Sequence, residues 1–113
     1  MKQATKTIRL GRKTVWRAGL ADTPAKKTLG IMFQKKFDSL LFDFGQTARL
    51  QNSIHSMFCP EFDAVFLDAA KRVTEVRKVK PWSFLAPAKP AKYLIEVPSG
   101  EGKRVRPGQR LSW

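Results

Sequence analysis

His55 and Cys59 are the first residues whose types and spacing suggest covalent chemistry, and each is the single member of its kind among the 113 residues. A nucleophilic Cys–His pair must lie within hydrogen-bond reach and usually has a third, orienting group. Positions four apart on a strand are separated by about 13 Å, so only a turn or a helix would bring these side chains together. The pattern favours a buried cysteine and a hydrogen-bonded histidine over a catalytic pair.

The carboxylates Glu61, Asp63 and Asp68 are the next candidates, because two acids held together can act as general acid and base. Acids at the ends of a buried strand more often cap a turn or pair with lysine or arginine, and we favour that role here. One histidine, one cysteine and scattered acids do not have the ligand spacing of a metal site. We therefore predict no catalytic residues, no metal and no enzymatic activity.

Phosphate-binding loops are the remaining source of cofactor chemistry, and the chain has neither a Gly-x-Gly-x-x-Gly nor a Gly-Lys-Ser/Thr motif. Residues 99–104 (SGEGKR) combine glycines with cations, so their amides could meet a phosphate. A plain turn is the favoured interpretation of this segment. We accordingly predict no nucleotide cofactor.

The strongest compositional signal is charge, since 22 lysines and arginines stand against 9 acids and give a net charge of +13. Solubility is served by a net charge of about 2–8 in a small domain, and a larger excess destabilises the compact state through self-repulsion. Residues 1–36 carry net +9, residues 37–68 net −4 and residues 69–113 net +8. This distribution favours a polyanionic partner at the two ends of the chain over a protein that is merely basic.

Structured RNA is the predicted partner, with ribosomal RNA as the first candidate, because phosphate contacts need only lysines and arginines on a surface. No groove-reading helix supports DNA, and no amphipathic basic helix supports an anionic membrane. Tryptophans near the basic clusters could stack on exposed bases, although core packing is the alternative for each: they are Trp16, Trp82 and Trp113. The predicted phosphate-binding residues are Lys2, Lys6, Arg9, Arg12, Lys13, Arg17, Lys71, Arg72, Arg77, Lys78, Lys80, Lys103, Arg104, Arg106 and Arg110.

The elements that position these residues begin with a hairpin. Thr5–Leu10 and residues 13–18 alternate apolar and basic positions around Gly11 and Arg12, as two paired strands do. Thr23 and Pro24 have the types of an N-cap and a first helical residue, so a helix is predicted to follow. Residues 40–44 are predicted to form a strand that Gly45 ends, with a loop over residues 46–51.

The second half of the chain also has a strand pattern. Residues 62–68 (FDAVFLD) and 93–97 (YLIEV) are predicted buried strands. Val73–Val79 has valines every third residue, which suits a helix, but its Val and Thr content suits a strand with a bulge, and we predict the strand. Residues 81–91 are a proline-rich connector that its aromatics are expected to pin to the body, and residues 109–113 are a last short strand.

These elements predict one domain over residues 1–113, of the α+β class with β dominant. Six or seven short, mainly antiparallel strands would form a barrel-like or sandwich body with one or two short helices. Apolar runs are only a few residues long, and residues 1–20 contain no hydrophobic signal segment. We therefore expect a cytoplasmic protein without a membrane span.

Several segments, in this order, carry a family resemblance: Gly30-Ile31-Met32, Leu41-Phe42, Ser53-Ile54-His55, DAVFLD at residues 63–68, YLIEVPSG at 93–100 and Pro107-Gly108-Gln109. The set resembles the uncharacterised family known as domain of unknown function 192, in the form seen in archaeal members, from about Thr14 onward. The resemblance implies a compact β-rich domain and no established activity. Glu61 stands where members usually have proline, and Gln109 stands where an acid is common, so both departures fall where a shared site would lie.

A second functional hypothesis is a small-ligand-binding or enzymatic domain. Its pocket would lie near His55, Asp63 and Glu96, and it predicts a buried cavity lined by the histidine and an acid. Ligand-induced stabilisation would distinguish this hypothesis from RNA binding, which should instead depend steeply on salt.

Overall fold

The structure is a computed structural model that describes residues 5–21, 39–49, 54–55 and 61–113. Its described elements are eight strands and one 3-10 helix. In chain order these are β1 Thr5–Leu10, β2 Lys13–Ala21, β3 Ser39–Ala48, β4 Ile54–His55, β5 Phe62–Leu67, β6 Val73–Val79, β7 Phe84–Leu85, β8 Ala91–Pro98 and the 3-10 helix Glu101–Arg104.

Six of the strands form one mixed sheet in the order β1-β2-β3-β8-β5-β6. Neighbouring strands are antiparallel except for β2 and β3, which are parallel. The two-residue strands β4 and β7 pair separately, with Ile54 opposite Leu85 and His55 opposite Phe84. The fold is therefore β-dominant and mainly antiparallel, as predicted.

Both faces of the sheet are covered, because side chains alternate between the faces and apolar residues occupy both sets of positions in the central strands. One face, here called the tail face, holds Ile8, Val15, Trp16, Ala18, Leu41, Val65, Leu67, Val73, Tyr93, Ile95, Val97, Val105 and Leu111. The other, here called the phenylalanine face, holds Leu40, Phe42, Phe62, Ala64, Phe66, Val79, Leu85, Ala91 and Leu94.

The C-terminal segment, residues 105–113, joins the two edges of the sheet. Arg9 and Ser112 exchange main-chain hydrogen bonds of 2.9 Å in both directions, which ties the segment to edge strand β1. On the opposite edge, Val73 N donates to Gln109 O at 2.8 Å and Gly108 N donates to Val73 O at 2.8 Å. Bonding to both edge strands gives the sheet a barrel-like closure and removes exposed strand edges at this end.

Several predicted boundaries were wrong for identifiable reasons. β2 runs to Ala21 instead of residue 18, and β3 runs to Ala48 instead of ending at Gly45. Gly45 has φ +80°, and its N–H donates a hydrogen bond to the Asp43 carboxylate at 2.8 Å. The glycine therefore makes an irregularity within β3 and does not end the strand.

At the C-terminus, residues 109–113 do not form the predicted strand. They contribute two isolated bridges, Arg9 to Ser112 and Arg72 to Arg110, because the segment must reach both sheet edges. The connector at residues 81–91 contains the short strand β7, which was not expected beside its prolines. The helix predicted after Thr23 and Pro24 lies outside the described residues.

Candidate nucleic-acid interface

Three separate segments bring cations to one end of the sheet. The β1–β2 turn, the β5–β6 turn and the C-terminal segment line a shallow groove of about 440 Å³, formed by Gly11, Ala69, Ala70, Lys71, Arg110, Leu111 and Ser112. Arg9 and Arg72 are the strand residues that bridge to the C-terminal segment here. We call the cations of these segments the basic end: Arg9, Arg12, Lys13, Lys71, Arg72 and Arg110.

Peptide carbonyl oxygens, rather than side-chain carboxylates, hold two of these side chains. Arg72 Nη1 donates to the carbonyl of Gly108 at 2.8 Å, and Arg110 Nε donates to that of Ala70 at 3.0 Å. These two contacts position the arginines without neutralising them, and each arginine keeps further N–H donors for an anion. Lys71 Nζ donates to an oxygen of Trp113 at 3.2 Å and lies 4.3 Å from the centre of its ring.

Asp68 is the carboxylate of the β5–β6 turn, and its oxygen is already engaged by the backbone. Its Oδ1 accepts hydrogen bonds from Ala70 N at 2.9 Å and Arg72 N at 3.0 Å. The acid therefore shapes the turn, and the six cations around it leave the basic end strongly positive.

Other predicted phosphate-binding residues are paired with acids. Among the described residues, ion pairs join Arg77 to Glu75 at 4.0 Å, Lys78 to Glu61 at 3.2 Å and Arg104 to Glu101 at 3.1 Å. The hydrogen bond from Lys78 is the main reason that the pKa of Glu61 lies below its ordinary value.

The remaining predicted cations do not line this groove. Lys6 and Arg17 are exposed on the β1–β2 hairpin, Lys103 and Arg106 are exposed in and after the 3-10 helix, and Lys80 follows β6. Lys2 lies outside the described residues. The predicted set is thus divided among one dense cluster, three acid-paired positions and scattered surface cations.

The three tryptophans have different environments. Trp16 is only 5% exposed and belongs to the tail face, so it cannot stack on a base, contrary to that prediction. Trp113 is half-buried and packs edge-on against Tyr93, with ring centres 4.9 Å apart. Trp82 is 62% exposed. Of the three predicted stacking residues, Trp82 is the one that presents its ring to solvent.

The two aromatics of the connector are mostly exposed, Trp82 at 62% and Phe84 at 76%. Buried Leu85, between them and the following prolines, anchors the segment to the phenylalanine face. A usable signal was present in the charge pattern. Residues 76–95 contain five cations and no acid, and Trp82 and Phe84 lie in the middle of this stretch.

Asp63 and Glu96, predicted to share a pocket with His55, lie on opposite faces of the sheet. Asp63 is opposite Val97, which is on the tail face, whereas Glu96 is opposite Leu40 and Ala64, which are on the phenylalanine face. The side chain of His55 is outside the described part of the structure. The two carboxylates therefore cannot line one cavity.

Asp63 has a structural role at the 3-10 helix. Its Oδ2 accepts hydrogen bonds from Gly100 N and Gly102 N, both at 2.9 Å. A Cβ on Gly102 would lie 2.8 Å from Val76 Cγ1 and 2.9 Å from Asp63 Cβ, so only glycine fits. Two of the amides that residues 99–104 could have offered to a phosphate are thus occupied by this carboxylate.

Glu96 is the unusual acid of the structure. It is 5% exposed, and no described residue forms a hydrogen bond with its buried Oε2. Burial raises the pKa of Glu96 to about 8, so the side chain is mainly the neutral acid at pH 7. A buried, unsatisfied carboxyl group is a feature of binding sites as well as of strained cores.

Across the described ranges, no helix is long and apolar enough to cross a membrane. In the same ranges, no three of the side chains His, Cys, Asp and Glu come together as metal ligands would.

Comparison with known structures supports the fold. The chain superposes on a candidate transcription regulator from Sinorhizobium meliloti with a TM-score of 0.86 and 24% identity, covering 99% of this chain and 95% of that one. A protein of unknown function from Novosphingobium aromaticivorans gives a TM-score of 0.80 and 20% identity, covering 96% and 85%. At these identities the likeness shows the fold alone.

Sequence comparison identifies relatives more directly. A UPF0127 protein of Pyrococcus furiosus is 40% identical over 96 residues, which cover 82% of this chain and 83% of the relative. A UPF0127 protein of Pyrococcus horikoshii is 37% identical over 97 residues, covering 83% and 84%. The family model DUF192, described as "Uncharacterized ACR", matches residues 6–113. The chain therefore belongs to the DUF192 family of uncharacterised proteins, as the ordered motifs had indicated.

Proposed function

We propose that this protein binds structured RNA without catalysing a reaction, and that the basic end makes the principal phosphate contacts. The observation that carries this proposal is the meeting, at one end of the sheet, of three chain segments that together carry six cations, with Lys71 and Arg110 lining the groove between them. Arg72 and Arg110 are held by peptide carbonyl oxygens, which leaves their charge available to phosphates. Contacts of this kind follow the shape and backbone of a nucleic acid more than its sequence.

RNA binding is tested by the salt dependence of complex formation with a labelled RNA hairpin, measured by fluorescence anisotropy. Each phosphate contact contributes about 0.7–0.9 to the slope of log K against log salt. The double variant Arg12→Gln and Lys13→Gln removes two exposed cations of the β1–β2 turn. Its slope should be smaller by about two, with an affinity loss of about tenfold at low salt.

The matched control is the double variant Lys78→Gln and Arg104→Gln, which changes the net charge equally. Both cations are already paired with acids, at 3.2 Å and 3.1 Å, so the hairpin affinity should change by less than about twofold. Equal losses in the two double variants, or a complex insensitive to salt, would contradict the proposal.

The identity of the RNA is a further part of this proposal. Ribosomal RNA, which would place the protein in the cytoplasm, is the first candidate. If this candidate is correct, the protein should sediment with ribosomes at low salt and be released at roughly 0.5–1 M salt, and the Arg12→Gln, Lys13→Gln variant should be released at lower salt.

Small-ligand binding is a second candidate function, favoured by the buried Oε2 of Glu96, with which no described residue forms a hydrogen bond. A ligand that donates a hydrogen bond to this oxygen would offset its desolvation cost. Thermal-shift screening with a library of small polar metabolites tests this role. A compound that stabilises the native protein but not the variant Glu96→Met, which has no acceptor oxygen, would support it, and equal stabilisation of both would place binding elsewhere.

A further inference from the structure

We propose that Trp82 and Phe84, in the connector between β6 and β8, form a stacking site for unpaired nucleobases. This inference deepens the proposed function and rests on it, since it names the kind of RNA that the protein prefers. In the described part of the chain, these two are the large hydrophobic side chains that remain exposed, at 62% and 76%. Single exposed apolar residues are ordinary, but two rings within three residues make a surface feature.

The connector is held by contacts on both sides of the two rings. Leu85 is buried in the phenylalanine face, and β7 pairs with β4. Beyond the rings, Glu75 Oε1 accepts a hydrogen bond from Ala88 N at 2.6 Å, and Arg77 Nη1 donates to Ala86 O at 3.2 Å. A segment fixed in this way presents its aromatics with little further loss of conformational entropy on binding.

The backbone at Trp82 gives a second reason to regard the site as specific. Its φ is +63°, in the left-handed region that bulky residues rarely adopt. This conformation is unfavourable for a non-glycine residue and is found where function or surrounding contacts require it. A tryptophan kept there, with most of its ring in solvent, is oriented outward at an energetic cost.

Charge identifies the partner as a polyanion. The stretch 76–95 carries five cations, of which Arg77 and Lys78 pair with the acids described above, and the other three are Lys80, Lys89 and Lys92. Lys80 and Lys89 are exposed on either side of the two rings. Aromatic rings flanked by cations are the arrangement with which proteins hold single strands, because bases stack on the rings while phosphates meet the lysines. Only bases released from a duplex can stack in this way, so the preferred RNA contains single-stranded loops or ends.

The test compares two labelled probes, a 12-nucleotide single-stranded RNA and the duplex formed with its complement. Stacking contributes about 1–3 kcal/mol per base. The double variant Trp82→Ala and Phe84→Ala should therefore bind the single strand at least about tenfold more weakly and the duplex with less than about twofold change. Both side chains are exposed, so the melting temperature should be retained and should be measured alongside.

Two controls separate stacking from a general loss of binding. The variant Trp82→Phe, Phe84→Trp keeps both rings and should recover most of the single-strand affinity. The native protein should show stronger tryptophan fluorescence quenching by the single strand than by the duplex, and Trp82→Leu should remove this difference. Trp16 is buried, and half-buried Trp113 lies beside Lys71 at the basic end, where both probes would affect it alike. The basic-end variant Arg12→Gln, Lys13→Gln should lower the affinity for both probes.

Different results would refute the two proposals separately. Salt-dependent duplex binding that weakens in the basic-end variant, combined with an unchanged single-strand affinity in Trp82→Ala, Phe84→Ala, would refute the stacking site alone. Failure of both probes to bind would refute the proposed function. Binding to vesicles of anionic phospholipid that requires both rings, with no effect of the rings on RNA affinity, would assign the connector to a membrane surface instead.

Discussion

Asp63 and Glu96 lie one register position apart on the neighbouring strands β5 and β8, and both are buried, yet their environments are opposite. Asp63 receives two main-chain amides at 2.9 Å on the tail face. Glu96 lies between Leu40 and Ala64 on the phenylalanine face, and none of the residues that the structure describes donates a hydrogen bond to its Oε2. The difference shows that the donors which meet a buried acid, and not the depth of its burial, decide whether it is structural.

The largest expected effect is on the satisfied acid. Asp63→Ala leaves the buried amide of Gly102 and the part-buried amide of Gly100 without an acceptor. A buried donor that loses its partner costs about 1–3 kcal/mol, and a part-buried one costs less. We expect the free energy of unfolding, measured by urea denaturation, to fall by about 4 kcal/mol. Asp63→Asn keeps one acceptor oxygen and should lose less. A loss below about 1 kcal/mol in Asp63→Ala would show that these two hydrogen bonds contribute little to stability.

The second prediction concerns the unsatisfied acid and pH. In the unfolded chain Glu96 ionises near 4.5, whereas in the folded protein its pKa is about 8. The stability associated with the neutral acid is therefore complete below pH 4.5, decreases as pH rises and is lost above about pH 8. At about 1.4 kcal/mol per pH unit, this amounts to about 3 kcal/mol between pH 5 and pH 8.

Glu96→Gln removes the ionisation while keeping the shape. Urea denaturation of both proteins at several pH values should show their stability difference growing in favour of the variant from pH 5 to pH 8. If the stabilities of the two proteins change with pH in parallel, Glu96 has an ordinary pKa. The difference between Glu96 and Asp63 would then not be electrostatic.

A third, smaller effect is expected where Gly102 packs against Asp63. Gly102→Ala introduces a Cβ that would lie 2.8 Å from Val76 Cγ1 and 2.9 Å from Asp63 Cβ. Overpacking of this kind costs about 1–3 kcal/mol. Thermal denaturation should show a lower melting temperature, and Val76→Ala in the same chain should restore part of it. If Gly102→Ala melts like the native protein, the 3-10 helix moves away from Asp63 without cost.

The smallest effect is expected for an exposed acid. Glu61 pairs with Lys78 at 3.2 Å in solvent, where screening and side-chain entropy cancel most of the attraction. Glu61→Gln should leave the melting temperature unchanged within error at pH 7, although the pKa of this carboxyl is lowered. A clear decrease in the melting temperature would show that hydrogen-bond donors stabilise the fold through exposed acids as well as through buried ones.

Local pattern predicted much of the sheet. β1, β5 and β8 were visible as apolar alternation or apolar runs, and the ambiguous segment Val73–Val79 is a strand, as proposed. Its valines recur every third residue because the pairing of β5 and β6 shifts register between Phe66 and Leu67. This bulge changes the phase of the strand, so Val73 lies on the tail face and Val79 on the phenylalanine face.

Features that depend on distant pairing were not predictable. The separation of Asp63 from Glu96 requires the register of β3, β5 and β8 together, which no local pattern contains. The role of residues 109–113 depends on two edges that are far apart in sequence. The sequence identified the cations of the basic end but not that they lie close together, because their three segments meet only when the sheet has formed.

The bridging of β1 and β6 by residues 105–113 has a consequence for the proposed binding of RNA. An anion that contacts Arg9, Arg72 and Arg110 together would touch both sides of this junction and resist its opening. Binding and unfolding would then be coupled, so that bound RNA raises the melting temperature by an amount that grows with the logarithm of its concentration. Bound RNA would in this way stabilise the contact between the C-terminal segment and the two edge strands.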